Sequence, residues 1–334
     1  MQLPNAVPCI NGRAISRRTF LRGTGLVAAG GAAIYLVGCG SGGDDSGAET
    51  PGATSSPGGG GAKITPVLLA GEFVADENNR FVVGLLDDDG NFVRNAKVHA
   101  KFFTVAADGK TGTLRGEDDM NFIELNEPEA HAHDTSGSQD AGEQSVAFYV
   151  LGTPFDAAGS WAVELSATLE DGRTAETIQA PFTVLEQSQT PSLQTTPPAS
   201  QNDTVATNPD TASLCSRDPI CPFHDKVIGD VLGKGRPLVV QFSTPAFCET
   251  RFCGPVLEVL INGSKAYRDR IDFVHIEVWK DRQANQYREA MVEWNLQSEP
   301  YTFFMDSNGL VVGKLEAIFS EEELQSALDQ LATR

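Results

Sequence analysis

Basic residues are scarce in this 334-residue chain: 25 Lys and Arg stand against 45 Asp and Glu, for a net charge of −20. A nucleic-acid binder needs a basic face to displace counterions, so that class of partner is excluded. No stretch offers the roughly 20 strongly apolar residues that a spanning helix needs. Residues 63–186 hold no cysteine, so no disulfide can cross them. No phosphate loop, Ser/His/Asp constellation or nucleotide fingerprint is present, and no organic cofactor is implied.

The few basic residues are unevenly placed. Residues 1–39 carry Arg13, Arg17, Arg18 and Arg22 and no acid, as targeting segments do. Ser16-Arg-Arg-Thr-Phe-Leu-Arg22 resembles the twin-arginine export signal. An uncharged Gly/Ala-rich run over 23–38 follows, too short and weakly apolar to span a bilayer, and reads as a signal core. Leu36-Val37-Gly38-Cys39 resembles a bacterial lipobox. That resemblance implies acylation of Cys39, a membrane anchor and a place on the outer face of the cytoplasmic membrane.

Composition divides the rest. Residues 40–62 are Gly/Ser/Asp/Pro-rich and predict a flexible tether; residues 187–211 predict a second linker. Between them, 63–186 shows short β-rich runs separated by Asp89-Gly90, Asp108-Gly109 and Asp171-Gly172. Six or seven such strands predict an immunoglobulin-like sandwich, an all-β N-terminal domain. Residues 212–334 predict the order βαβαββα: strands at 237–243 and 271–278, helices at 255–270 and 281–294, a hairpin across Asp306–Gly309, and a last helix opened by a Ser320/Glu323 capping box. Asn262-Gly263 predicts a bend in the first long helix.

Six cysteines remain to be placed. Cys9 falls in the segment to be removed and Cys39 is the lipid acceptor. Cys215, Cys221, Cys248 and Cys253 are left, an even number that suits two disulfides in an exported protein. Three pairings are open, and nearest-neighbour pairing is the simplest. It makes Cys215–Cys221 a structural staple and Cys248–Cys253 the working pair. Cys253 lies where a helix should begin, with Pro255 suited to its first turn. Helix-terminal N–H groups favour a thiolate there, so Cys253 is expected to attack substrate; Arg251 should assist and Glu249 oppose.

The strand, Phe247 before Cys248, the run Cys253-Gly254-Pro255 and the element order together resemble the thioredoxin superfamily over about 212–334. The resemblance implies an α/β thioredoxin-like fold, thiol–disulfide exchange with envelope proteins, and a cis-proline at Pro300 beside the active site. Two departures stand out. The cysteines are spaced Cys-x4-Cys rather than Cys-x-x-Cys, with Val256 where the second cysteine is expected. On a regular helix five residues rise ~7.5 Å and turn side chains about 140° apart. A disulfide needs Cα atoms within about 7 Å, so 248–253 must be a loop when oxidised. Gln241 also replaces a buried acid that often assists proton transfer in the family.

Rival readings use the same residues. Thr244-Pro-Ala-Phe-Cys248 followed by Cys253 resembles atypical two-cysteine peroxiredoxins, with Cys248 attacking peroxide. A redox-inert envelope module would keep both disulfides as staples. Metal binding is not expected: the cysteine spacings differ from zinc motifs, His275 reads as a strand residue, and His131-Ala-His133-Asp134 reads as a solvated loop. Trp279 and Trp294 read as packing residues.

Overall fold

The computed structural model describes residues 62–106, 108–109, 111–126, 145–175, 178–248, 252–283 and 285–334. The export motif, Cys9, Cys39, nearly all of the 40–62 tether, the His131/His133/Asp134 loop, Glu249 and Arg251 lie outside the described residues.

The N-terminal half is built from β1 (Thr65–Leu68), β2 (Phe73–Val74), β3 (Asn78–Leu86), β4 (Lys97–Val105), β5 (Thr111–Asp119), β6 (Asn121–Asn126), β7 (Ser145–Pro154), β8 (Gly159–Thr168) and β9 (Ile178–Leu185). They form a four-stranded sheet, β1-β3-β7-β6, and a five-stranded sheet, β2-β9-β8-β4-β5. On β8 the residues Trp161, Val163, Leu165 and Ala167 are buried, while Ser166 and Thr168 are exposed, the period-2 alternation of a half-covered strand. Aromatic rings join the sheets: Phe81 of β3 meets Phe102 of β4 edge-on at 5.0 Å, and Phe155 contacts Trp161 at 5.0 Å. β5 and β6 were not expected from the sequence. β5 is charged and Gly-containing and holds no apolar period, and β6 is short; pairing with β4 and β7 supplies the order instead.

The segment 187–211 departs from the tether expected of it. Thr190, Ser200 and Thr204 are buried. Gln194 N–H donates to the Val311 carbonyl at 2.8 Å and Val311 N–H to the Thr195 carbonyl at 2.9 Å. Trp294 Nε1 donates to Ser200 Oγ at 3.1 Å. These bonds satisfy a polar, Pro-rich backbone that has no secondary structure of its own, so it lies as a strap along the C-terminal half. It ends in a turn of helix, α1 (Thr211–Leu214).

The C-terminal half runs α2 (Ile228–Val231), β10 (Leu238–Phe242), α3 (Cys253–Ser264), β11 (Asp272–Ile276), β12 (Trp279–Asp281), β13 (Gln286–Tyr287), α4 (Glu289–Glu293), β14 (Tyr301–Met305), β15 (Val311–Glu316) and α5 (Glu321–Leu331). The main sheet has the order β11-β10-β14-β15, with β10 parallel to β11 and antiparallel to β14. β10, β11 and β14 are buried at every residue, so both faces are covered. Val239, Phe273 and Phe304 join the core that includes α3 and α5; Val240, Phe242 and Phe303 pack with Trp294 and Met291 on the other side. The expected order of strands and helices is therefore present. Residues 281–294, expected as one helix, form the β12–β13 hairpin and the short α4. Trp279 packs against Tyr287 with tilted rings 4.4 Å apart, Asn285 turns the chain with φ 54°, and Arg288 is extended. Ser320 and Glu323 close the capping box: Glu323 N–H donates to Ser320 Oγ at 3.1 Å and Ser320 N–H to Glu323 Oε2 at 2.9 Å.

The halves are joined by buried charge. Arg80 of β3 pairs with Glu323 at 2.5 Å and donates to the Ile318 carbonyl at 2.6 Å. Glu72 accepts from Lys314 of β15, from Ser188 Oγ at 2.6 Å and from Thr190 Oγ1 at 3.0 Å, so one carboxylate ties sandwich, strap and C-terminal sheet together. Among the described residues, no helix is long and apolar enough to cross a membrane.

Candidate functional site

Strand β10 ends at Phe242, and the chain turns through Ser243–Cys248 before α3 begins at Cys253. The strand is buried because Leu238, Val239, Val240 and Phe242 are apolar, and the helix starts where Gly254-Pro255 can supply its first turn. Cys248 and Cys253 are disulfide-bonded, with Cα atoms 5.9 Å apart. Cys248 lies outside the helix, as the Cys-x4-Cys spacing requires of an oxidised pair.

The two sulfurs differ in access. Cys253, the first residue of α3, has no exposure, whereas Cys248 is half-buried beside Phe247, which is 50% exposed. Helix position favoured Cys253 as the attacking sulfur; burial counts against it, because a protein disulfide cannot reach an enclosed atom. Pro300 follows a cis Glu299–Pro300 peptide, as expected of it.

Glu299 was not singled out from sequence. Its Oε2 lies 3.5 Å from Cys253 Sγ. Burial raises its carboxyl above the usual glutamate range, against hydrogen bonds from Thr244 and Trp279 that pull it down. An acid thus stands beside the buried sulfur although Gln241 occupies the strand position where the family resemblance implies one. Gln241 is fully buried, and neither its Oε1 nor its Nε2 has a hydrogen-bond partner among the described residues. The signal in the sequence is Glu299 itself, one residue before Pro300.

A second cluster corrects the staple expectation. Cys215 and Cys221 are buried free thiols, not a disulfide. Their sulfurs face His224 and His275 instead. Cys221 Sγ lies 3.2 Å from His224 Nε2 and 3.4 Å from His275 Nδ1; Cys215 Sγ lies 3.6 Å from His275 Nδ1; the two imidazole nitrogens are 3.2 Å apart. His275, read from sequence as an ordinary strand residue, is carried by β11 into the 215–224 loop. Its backbone N–H donates to the Phe223 carbonyl at 3.0 Å. The hydrogen bond with Cys221 draws Cys215 toward thiolate, against burial. Burial and the neighbouring Cys215 charge push Cys221 the other way. Glu277 lies next along, its carboxyl raised to about 7 by burial and accepting from Ser216 N–H at 2.7 Å. The pointer in the sequence was Cys221-x-x-His224, a ligand-like spacing; its partner His275 is 51 residues beyond His224.

Comparison with known proteins fits the C-terminal geometry. Residues 225–332 match the family model of a thioredoxin-like domain. Among solved structures, the chain is similar to a thiol:disulfide interchange protein of the thioredoxin family from Chlorobium tepidum TLS. That match has 17% identity, covers 42% of this chain and 97% of the other, and has a TM-score of 0.29. It is also similar to the PmoD soluble domain from Methylocystis sp. ATCC 49242 (Rockwell), with 14% identity, coverage of 36% and 88%, and a TM-score of 0.16. A third likeness is to the sporulation control protein Spo0M from Bacillus subtilis, at 14% identity, coverage of 38% and 50%, and a TM-score of 0.18. No curated protein matches. Likenesses this distant carry no functional argument by themselves. The strand–loop–helix with its adjacent cysteines and the family match over 225–332 make the C-terminal part of this chain a thioredoxin-like domain.

Proposed function

We propose that the chain is a thiol–disulfide oxidoreductase in which Cys248 exchanges with protein partners and Cys253 resolves. The observation that carries this is the asymmetry of the pair: a reachable sulfur bonded to an enclosed one, at a strand-to-helix junction of a thioredoxin-like domain. In the reducing direction, the Cys248 thiolate attacks a substrate disulfide, forming a mixed disulfide and releasing one substrate thiolate. Cys253 then gives its proton to Glu299 and attacks Cys248 Sγ. That restores the intramolecular bond and frees the second substrate sulfur, which takes up a proton. Two electrons pass from the pair to the substrate. The oxidising direction is the reverse, with Glu299 returning the proton. Phe247 would offer apolar contact beside the reacting sulfur.

The export and lipobox motifs at 16–22 and 36–39 support a location on the outer face of the cytoplasmic membrane, anchored through Cys39. The partners would be envelope proteins bearing thiols or disulfides. The N-terminal sheets, in this reading an immunoglobulin-like sandwich, would hold the redox domain away from the lipid.

Thiol trapping by mass spectrometry tests the chemistry. Cys253→Ser should accumulate a long-lived mixed disulfide through Cys248, and Cys248→Ser should accumulate none. The reverse pattern would assign attack to Cys253. No exchange in the unmutated chain, with a reduction potential below about −300 mV, would mark the bond as a structural staple and end the proposal.

A further inference from the structure

The 215–224 loop and β11 bring together four side chains that have no part in the exchange chemistry. All four are buried, and their ligand atoms lie within 4.8 Å of one another. Zinc bound by two thiolates and two imidazoles has Zn–S of about 2.3 Å and Zn–N of about 2.0–2.1 Å. Tetrahedral angles then set the edges of that shell: S···N of about 3.5 Å and N···N of about 3.3 Å. The observed separations are 3.2, 3.4 and 3.6 Å for S···N and 3.2 Å for N···N. Four of the six edges of such a tetrahedron therefore have the right size, and the other two lie within 4.8 Å.

The orientation of His275 is an independent observation. Its Nε2 lies 3.0 Å from the Ser243 carbonyl oxygen and 2.9 Å from Ser243 Oγ. A carbonyl only accepts, so Nε2 carries the proton and the lone pair is left on Nδ1, which points at both sulfurs. A backbone carbonyl fixing the far nitrogen of an imidazole is how metal-bound histidines are held. Two thiolates around a divalent cation are also neutral as a unit, which removes most of the cost of burying them. A cleft of about 260 Å³, lined in part by Asn202, Leu214, His224, His275 and Glu277, gives an ion a way in.

We propose that Cys215, Cys221, His224 and His275 form a four-coordinate structural zinc site. Tetrahedral coordination by two sulfurs and two nitrogens is a zinc geometry. With all four positions taken by protein, the ion would pin the 215–224 loop to β11 and activate no water. It supplies the staple that the spacing of Cys215 and Cys221 suggested, through metal rather than a disulfide. Binding releases the thiol protons to solvent and leaves the thiolates on the ion, with no change of oxidation state.

The test uses the full chain with Cys9→Ser, Cys39→Ser, Cys248→Ser and Cys253→Ser, so that only Cys215 and Cys221 offer a thiol. After anaerobic loading with zinc and desalting, one equivalent should remain bound. Cobalt in its place should give tetrahedral d–d absorption together with thiolate charge transfer. Cys215→Ser and His224→Gln should each lose the bound equivalent. Should those variants fail to fold, zinc-edge X-ray absorption of the chain with its own Cys215 and His224 still decides: two sulfur and two nitrogen neighbours are expected. A nitrogen- and oxygen-only shell, no retained zinc, copper(I) held where zinc is not, or a Cys215–Cys221 disulfide in anaerobically purified protein would each overturn the assignment.

Discussion

The Glu299 carboxylate lies 3.5 Å from the sulfur of Cys253, on the residue joined to Pro300 by a cis peptide. Cys253 must lose a proton before it can attack Cys248, and burial keeps water away from it. Glu299 is positioned to take that proton. Glu299→Gln should therefore prolong the mixed disulfide by roughly 10²-fold, the ordinary size of a general-base contribution. The wild-type resolving rate should rise with pH as Glu299 ionises, through a pKa that burial has raised. In the variant that limb should vanish, leaving only the ionisation of the thiol. Stability supplies a separate reading. A carboxyl with a raised folded pKa binds protons more tightly in the native state, so it costs stability as pH climbs through that pKa. The Gln variant should be as stable as wild type or more so near neutral pH, and stopped-flow exchange with parallel urea melts reads both effects. A wild-type rate in the variant would remove Glu299 from the mechanism.

What could be read from sequence tracks the range of the interactions. The β10–α3 unit, the hairpin across 306–309 and the Ser320/Glu323 cap are set by neighbours, and each is present. The cis peptide at Pro300 followed from a family resemblance rather than from local physics. Residues 281–294 show a helical apolar spacing, but Trp279 finds Tyr287 across a turn, and tertiary pairing overrides the period. β5 and β6 gain their order only from strands already in place. The Cys/His cluster was hidden for the same reason: His275 and Cys221 are 54 residues apart, and only the parallel pairing of β11 with β10 fixes where His275 goes. Residues 187–211 read as a tether because composition reports missing apolar content, not available hydrogen-bond partners.

Acid should loosen the junction between the halves. Burial pushes the Glu72 carboxyl up, but the charge of Lys314 and hydrogen bonds from Lys314, Ser188 and Thr190 outweigh it and bring the pKa down to about 2. A folded pKa below the unfolded value of about 4.5 stabilises the native state above that value, and the contribution drains away between about pH 4.5 and about pH 2. Its size is on the order of 3 kcal/mol. Glu72→Gln should lower urea stability by about that much near neutral pH, and the two melting curves should converge as the pH approaches 2. A constant difference across that window would mean that packing, not charge, holds the contact.

Helix α3 carries Cys253 at its first residue and Gly263 one residue before its last. A Cβ at that position would stand 2.7 Å from Cδ2 of Leu324, which is 1% exposed on α5. The sequence suggested a bend at Asn262-Gly263, yet the helix continues to Ser264; the glycine is there to let two helices approach. Two effects compete in Gly263→Ala. Alanine favours the helix by up to about 1 kcal/mol, while overpacking a tight contact costs about 1–3 kcal/mol. Leu324 is enclosed and has little room to turn away, so the clash should win and the variant should unfold at lower urea. Leu324→Val in the same chain removes a methylene from the clash and should recover part of the loss. It should destabilise the chain that keeps Gly263, since there it only opens a gap. A coupling of that sign in the double-mutant cycle establishes the contact, and additive effects would place the cost of alanine elsewhere.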